Sequence, residues 1–281
     1  MRYGIPYLGG KNRIARKIID LLPSAEVFVD VFAGGCAVTH AALESDKFNT
    51  VIANDIGPGP VVFHAAASGR LPIRPKWVSR EDFSKTEDPV VKYCFSFGNS
   101  GKSYLYGREI EPLKHALHRA VVDGDLSLFP ADTQEILKKA LAGKTSLHDR
   151  RIAAQKVACH LEHLERLELE HLERLERLQR LQSGSSSSLV VTQRDYRDVH
   201  IPNDAVVYCD PPYARTNGYG MRFDHNDFYR WCRAVAKSRR VFVSEYQMPP
   251  DFKRIAEFEV RALAGASTNS QIRIEKLFTL N

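Results

Sequence analysis

Short apolar runs alternate with amphipathic stretches from Lys11 to Ile56, stop, and resume at Leu189. KNRIARKIIDLL (11–22) carries apolar residues at 14, 15, 18, 19, 21 and 22 with charges between, a helix that Pro23 stops. VFVDVF (27–32) reads as a buried strand, residues 37–43 as a helix after a small-residue turn, and TVIANDI (50–56) as the next strand. Strand–helix–strand order of this kind favours a parallel sheet with helices on its faces. Beyond the interruption, 189–192, 205–209, 240–244, 257–263 and 273–280 read as further strands, and 223–237 as a helix opened by Asp224. The expectation is an α/β fold: a doubly wound, Rossmann-like sheet assembled from two separated parts of the chain.

The expected division is 1–88, 89–188 and 189–281, with the middle part inserted between two halves of one sheet. The insertion reads as mainly helical and ends in SGSSSS (183–188), a composition typical of flexible linkers. Between them, LEHLERLELEHLERLERLQRLQ (161–182) is strongly helical in composition, but its leucines recur mostly every third residue and give no steady heptad. With six glutamates against four arginines it is ill suited to grip phosphates. A helix that packs or spaces the insertion is favoured over a partly disordered tract, and a low-complexity repeat expanded without any function stands equally open.

FSFGNSGKSYLYG (95–107) contains GNSGKS, but a phosphate-binding loop of the nucleotide-hydrolase type needs glycine at 96, where the chain has serine. The loop reads either as a glycine-rich surface turn or as a nucleic-acid contact. In the second case Lys102 and Arg108 meet phosphates, and Asn99 and Tyr104 meet bases. From 90 to 160 there are eleven Lys/Arg against seven Asp/Glu, and Lys114, Arg119, Lys138, Lys139, Arg150 and Arg151 are further candidates to track a phosphate backbone.

The whole chain, 281 residues and 43% apolar, carries a net charge of +6 and a pI near 9.0, which permits a polyanionic partner without requiring one. Its five cysteines include no C-x-x-C pair, which argues for reduced thiols and against structural zinc. No run approaches the ~18 apolar residues of a membrane span. The amino terminus is no signal peptide, so a soluble, cytoplasmic protein is expected.

VVYCDPPY (206–213) ends a buried strand on an acid, two prolines and an aromatic ring. Pro211 and Pro212 lack N–H groups and fix φ, and Pro211 holds Asp210 out of the helical region. A carboxylate and a ring are thereby fixed beyond the carboxyl end of a strand, where open α/β sheets bind ligands. Three other stretches suit the same ligand, each with a plain structural alternative as a turn. Phe32-Ala33-Gly34-Gly35 follows a strand and lets backbone approach a cofactor. Asp55 ends the next strand, where an acid suits ribose hydroxyls. Tyr7-Leu8-Gly9-Gly10-Lys11 flanks a flexible turn with an aromatic and a lysine.

YLGGK (7–11), FAGGCAV (32–38), ANDI (53–56), a long insertion and DPPY (210–213), in that order, resemble the Dam-type adenine-N6 DNA methyltransferases, whose target-recognition domain lies between the glycine-rich motif and DPPY. TQRDY (192–196), FDHNDFYRWC (223–232) and VFVSEY (241–246) extend the resemblance over nearly the whole chain.

The resemblance implies S-adenosyl-L-methionine as donor, and N6 of an adenine flipped from double-stranded DNA as acceptor. It implies Asp210, Pro211, Pro212 and Tyr213 as catalytic residues, and no metal. The cofactor pocket it implies comprises Tyr7, Gly9, Gly10, Lys11, Phe32, Ala33, Gly34, Asp55, Asp195 and Asp210. One position departs from the family pattern: its final glycine is Cys36 here, and a Cβ there crowds the turn or the cofactor. The competing readings are nucleic-acid binding without catalysis, methylation of RNA or of a protein amide, and a nicotinamide dehydrogenase. The last gives no reason for DPPY, and cytosine-N4 enzymes usually carry Ser-Pro-Pro-Tyr.

Overall fold

The computed structural model describes residues 2–72, 75–161, 168–181, 187–213, 223–261 and 272–280. The chain packs into two units. Met1–Ile5, Gly9–Ala65 and Ser183–Asn281 form the first; Pro6–Leu8 and Ala66–Gln182 form the second. The chain thus passes between them at 5/6, 8/9, 65/66 and 182/183, where the division expected from sequence has 88/89 and 188/189.

Among the described residues the first unit is built on seven strands: β1 (Ala25–Asp30), β2 (Phe48–Asn54), β3 (Ser188–Thr192), β4 (Val206–Cys209), β5 (Arg240–Glu245), β6 (Lys253–Arg261) and β7 (Ile272–Thr279). Their order is β3-β2-β1-β4-β5-β7-β6. The first five are mutually parallel, as expected for a doubly wound sheet. β7 then runs antiparallel between β5 and β6, so its early residues lie at the rim where the parallel strands end.

β4 is buried at all four positions, as a central strand covered on both faces must be. On one face Val29, Val207, Cys209, Val241 and Val243 pack against Phe228 and Cys232 of the helix His225–Val235. That helix starts where expected, because the Asp224 carboxylate accepts the Asp227 N–H. On the other face Phe28 meets Phe48 at 4.9 Å and Tyr208 at 6.5 Å. Two further helices, α1 (Ala15–Leu21) and α2 (Ala37–Leu43), pack on each other, and α2 also packs on β1 and β2.

Three local readings change. The first helix begins at Ala15, because Lys11–Ile14 form a turn in which the Lys11 carbonyl accepts from Ile14 and Ala15. β1 ends at Asp30, and Val31 and Phe32 already belong to the turn. Ser188, read as linker, opens β3 opposite Thr50, while 183–186 lie outside the described residues, as do 262–263 of the expected sixth strand.

Helix α3 (Gly59–Ala67) runs to the start of the second unit, where the other helices are α4 (Arg80–Lys85), α5 (Pro89–Cys94), α6 (Glu111–Val122), α7 (Ala131–Leu141), α8 (Leu147–Leu161) and α9 (Glu170–Gln179). The leucine-rich repeat falls on the end of α8 and on α9; 162–167 lie outside the described residues. Leu169, Leu172, Leu175, Leu178 and Leu181 are buried, and α9 packs on α5 and α8. Among the described residues no helix is long and apolar enough to cross a membrane.

Candidate active site

The strand order reverses between β1 and β4, and a doubly wound sheet opens a crevice at that point, outside its carboxyl ends. The chain leaving β1 is fastened on both sides: Val31 N–H donates to the Tyr208 carbonyl at 2.9 Å, and Ala33 N–H to the Asn54 carbonyl at 2.8 Å. Asp30 pairs in register with both Ala53 and Tyr208. Asp55 and Asp210 each stand two residues beyond those partners, so they flank the β1 exit, separated by about two strand spacings, roughly 10 Å. Asn54 locks this rim, donating to the carbonyls of Val31 and Arg194, each at 3.0 Å. It also accepts from the Thr192 hydroxyl and the Arg194 N–H.

Backbone dominates the glycine turn. Gly34 N–H donates to Asp55 Oδ2 at 2.8 Å, and Gly57 N–H to Asp55 Oδ1 at 2.8 Å. Burial raises the Asp55 pKa, and these two N–H groups oppose the rise. A Cβ on Gly59 would stand 1.9 Å from the Gly34 carbonyl oxygen, and one on Gly4 would stand 2.2 Å from that of Gly35. The turn is therefore cradled by backbone with no room for side chains at either position. Cys36 adopts the glycine conformation, at φ 57°, and its side chain is fully buried. Phe32 is half-buried against Tyr196, Phe223 and Phe228.

Asp30 carried no role in the sequence reading, yet it lies under this turn. Its Oδ2 accepts from Thr39 N–H at 3.1 Å and the Thr39 hydroxyl at 2.7 Å, while Oδ1 is buried without a partner. Burial pushes its pKa up to about 7, against the Thr39 bonds and with help from the Asp210 and Asp55 charges.

The DPPY turn joins residues distant in sequence. Lys11 Nζ donates to Asp210 Oδ2 at 2.7 Å and stands 3.3 Å from Glu275 Oε2. The Tyr213 hydroxyl donates to the same Glu275 oxygen at 3.1 Å, and the Lys11 ammonium sits 4.9 Å above the Tyr213 ring. Tyr246 meets that ring edge-on at 4.7 Å. The Pro212 carbonyl is in hydrogen-bond contact with His225 Nε2 at 2.9 Å. Burial works to lower the Lys11 pKa, but Asp210 and Glu275 outweigh it and hold it raised. Asp210 is raised by burial and by Glu275 although Lys11 and the Tyr213 hydroxyl pull it down, and its Oδ1 is buried without a hydrogen-bond partner. Nothing in the sequence marked Glu275, an acid inside an ordinary strand.

Gly9 turns the chain at φ 76° into Gly10 and Lys11. Tyr7 belongs to the second unit, its ring edge-on to Tyr93 at 5.3 Å. Asp195 caps a short turn and holds Arg197 through both carboxylate oxygens, at 2.8 and 2.9 Å.

In the second unit, 96–104 form a tight loop closed by a bridge between Ser96 and Tyr104. Gly98 and Asn99 both take positive φ, 62° and 59°. Phe97, Lys102 and Arg108 are exposed, and Asn99 is half-exposed. Tyr104 is buried, its hydroxyl bonded to the Val78 carbonyl at 2.7 Å and its ring under Arg80. Arg174 of α9 donates to the carbonyls of Cys94 and Ser96 at 2.9 and 2.8 Å, and His171 packs on Phe95 at 4.7 Å. The leucine-rich helix thus buttresses the stem of the loop. Lys114 and Arg151 are buried, the latter on Glu176, so neither faces a phosphate backbone as expected from sequence. Among the described residues no group of three or more His, Cys, Asp or Glu is arranged to hold a metal ion.

Residues 7–70 match the family model of the D12 class N6 adenine-specific DNA methyltransferases. The match takes in YLGGK, FAGGCAV and ANDI and agrees with the resemblance those motifs carry, DPPY lying beyond it; the mixed, mostly parallel seven-stranded sheet is compatible with a methyltransferase fold. No curated protein matches the chain.

Proposed function

We propose, from the D12-class match over residues 7–70, that the protein transfers a methyl group from S-adenosyl-L-methionine to N6 of an adenine flipped out of duplex DNA. The observation that carries this reading is the state of Asp210. One carboxylate oxygen is clamped by Lys11, and the other is buried with no partner, an expensive arrangement unless a donor arrives there.

The adenine N6 lone pair is delocalised into the ring, so the amine is a poor nucleophile. Asp210 Oδ1 and the Pro211 carbonyl are acceptors for its two hydrogens. Accepting both localises the lone pair on the nitrogen, and catalysis is then orientation and electrostatic complementarity. Lys11 counters the burial that favours protonated Asp210 and so supports an ionised acceptor. Tyr213 offers the flipped base a stacking face against an unstacking cost of a few kcal/mol. Pro211 and Pro212 keep acceptor and ring in one geometry.

The glycine turn fits the donor. Its backbone is cradled by Gly4 and Gly59, where a Cβ would intrude, and Asp55 lies beside it. Gly34 and Asp55 would hold the donor at the crevice, with Gly10 and Lys11, and Ala33 and Phe32 bordering it. When bound, S-adenosyl-L-methionine supplies an electrophilic methyl group on a sulfonium. In the second unit, Asn99, Lys102 and Arg108 are the proposed DNA contacts, the loop that carries the first two being held at its stem by Arg174 and His171; Tyr104 serves that loop from within.

Long-read modification mapping of DNA from a methylation-free host expressing the chain tests this. N6-methyladenine in one recurrent short sequence is the expected result. Unmodified DNA, alongside methyl transfer to RNA or to a protein in the purified system, overturns it.

A further inference from the structure

Glu275 lies on β7, the antiparallel strand inserted beside β5, and Glu245 of β5 pairs in register with its neighbour Lys276. That register brings Glu275 to the rim of the crevice, and only 14% of its side chain is exposed. One oxygen, Oε2, takes both the Tyr213 hydroxyl and the Lys11 ammonium, at 3.1 and 3.3 Å. These two groups come from distant parts of the sequence, the amino-terminal turn and the DPPY turn, and both also act on Asp210.

An ammonium beside a lone carboxylate is free to sit between its two oxygens, since it carries three donors. Here a second acceptor draws Lys11 to one side, so that it bonds Asp210 through Oδ2 and leaves Oδ1 without a partner. The same second acceptor fixes the Tyr213 ring by its hydroxyl, while Tyr246 bears on the ring edge-on.

We propose that Glu275 is a positioning residue for methyl transfer: by holding Lys11 and Tyr213 together it keeps one Asp210 oxygen open to the adenine amine. This role rests on the adenine-methylation reading above. It also has an electrostatic signature. The groups acting on the Asp210 charge are Lys11 from the amino-terminal turn, Glu275 from β7 and Tyr213 from the DPPY turn, and Asp210 in turn acts on Asp30 of β1 and Tyr208 of β4. Among these groups, Glu275 is the acid whose charge raises Asp210 and lies within reach of Lys11 as well.

Single-turnover methylation of duplex DNA by the full chain tests the role, across roughly pH 5.5 to 9. The variants are Glu275→Gln, Glu275→Leu, Tyr213→Phe and the Tyr213→Phe/Glu275→Leu double. Leucine removes both bonds and is expected to slow the step about tenfold or more. Glutamine still accepts from both donors, so it should recover most of that rate while moving the acid limb to lower pH. Because the two changes break one arrangement, the double variant should be no slower than the slower single one. Should leucine not fold, the glutamine pH profile alone decides.

An unmoved acid limb in Glu275→Gln, an undiminished rate in Glu275→Leu, or losses that multiply in the double overturns the role while leaving methylation standing. A wild-type chain that methylates no DNA removes the methylation reading itself, and this role with it.

Discussion

Lys11 Nζ stands 2.7 Å from Asp210 Oδ2, across 199 residues of chain, with only 6% and 18% of the two side chains exposed. The contact fastens the amino-terminal turn to the turn after β4, and it sets the charge of the acid on which the account depends. A carboxylate this buried would otherwise take up a proton.

Lys11→Met leaves Asp210 and Glu275 as buried carboxylates without their shared cation. Removing one partner of a buried pair costs about 3–5 kcal/mol. Asp210, already raised, rises further, so the loss is greatest at alkaline pH and shrinks as acid protonates it. Urea unfolding on both sides of neutrality checks this; a deficit that grows on acidification contradicts it.

Asp30 gives stability its own pH signature. Its folded pKa is raised by burial to about 7 from 3.8. Its contribution is therefore complete below the ordinary carboxylate value and is lost as pH rises through about 7. Asp30→Asn can still accept from Thr39 but does not titrate. Between about pH 5 and 8 the wild-type unfolding midpoint should fall relative to the variant's. Parallel curves would mean that Asp30 is not held protonated.

Gly59→Ala puts a Cβ 1.9 Å from the Gly34 carbonyl oxygen, and the glycine turn must shift. A loss of about 1–3 kcal/mol in stability is expected. Calorimetry should also show S-adenosyl-L-methionine bound at least about tenfold more weakly, a difference of ~1.4 kcal/mol. Val61→Ala, on the exposed side of the same helix, should change neither. Equal effects from both would remove the cradle from the account.

Much of this arrangement was legible in the sequence, because the residues that make it also punctuate the chain. Pro23, Asp224 and the prolines of DPPY mark ends that survive folding, and β4 reads as buried because it is apolar at every position. What escaped notice depends on register between distant strands. Glu275 reaches the site only because β7 runs antiparallel, and Asp30 alternates among valines like any strand residue. Gly59 gains its meaning from a carbonyl 25 positions away, which no local pattern announces. Lys114 and Arg151 erred in the other direction: they look like surface charge until the helices pack.

Arg174→Met removes two hydrogen bonds from the stem of the 96–104 loop. Bonds to a charged donor are worth about 1.5–3 kcal/mol each when buried. Amide exchange across the loop should quicken, and duplex affinity should fall about tenfold, ~1.4 kcal/mol, with donor affinity unchanged. Unaltered exchange would show that α9 does not support the loop.

The most direct test of the central claim is the methyl-transfer rate of Asp210→Asn, measured beside its affinity for S-adenosyl-L-methionine. Asparagine matches the shape but brings no charge. The account predicts a rate reduced by about a factor of 10³, the scale of losing a preorganised electrostatic contact, with donor affinity held within a few fold. Turnover near that of the wild type would contradict it.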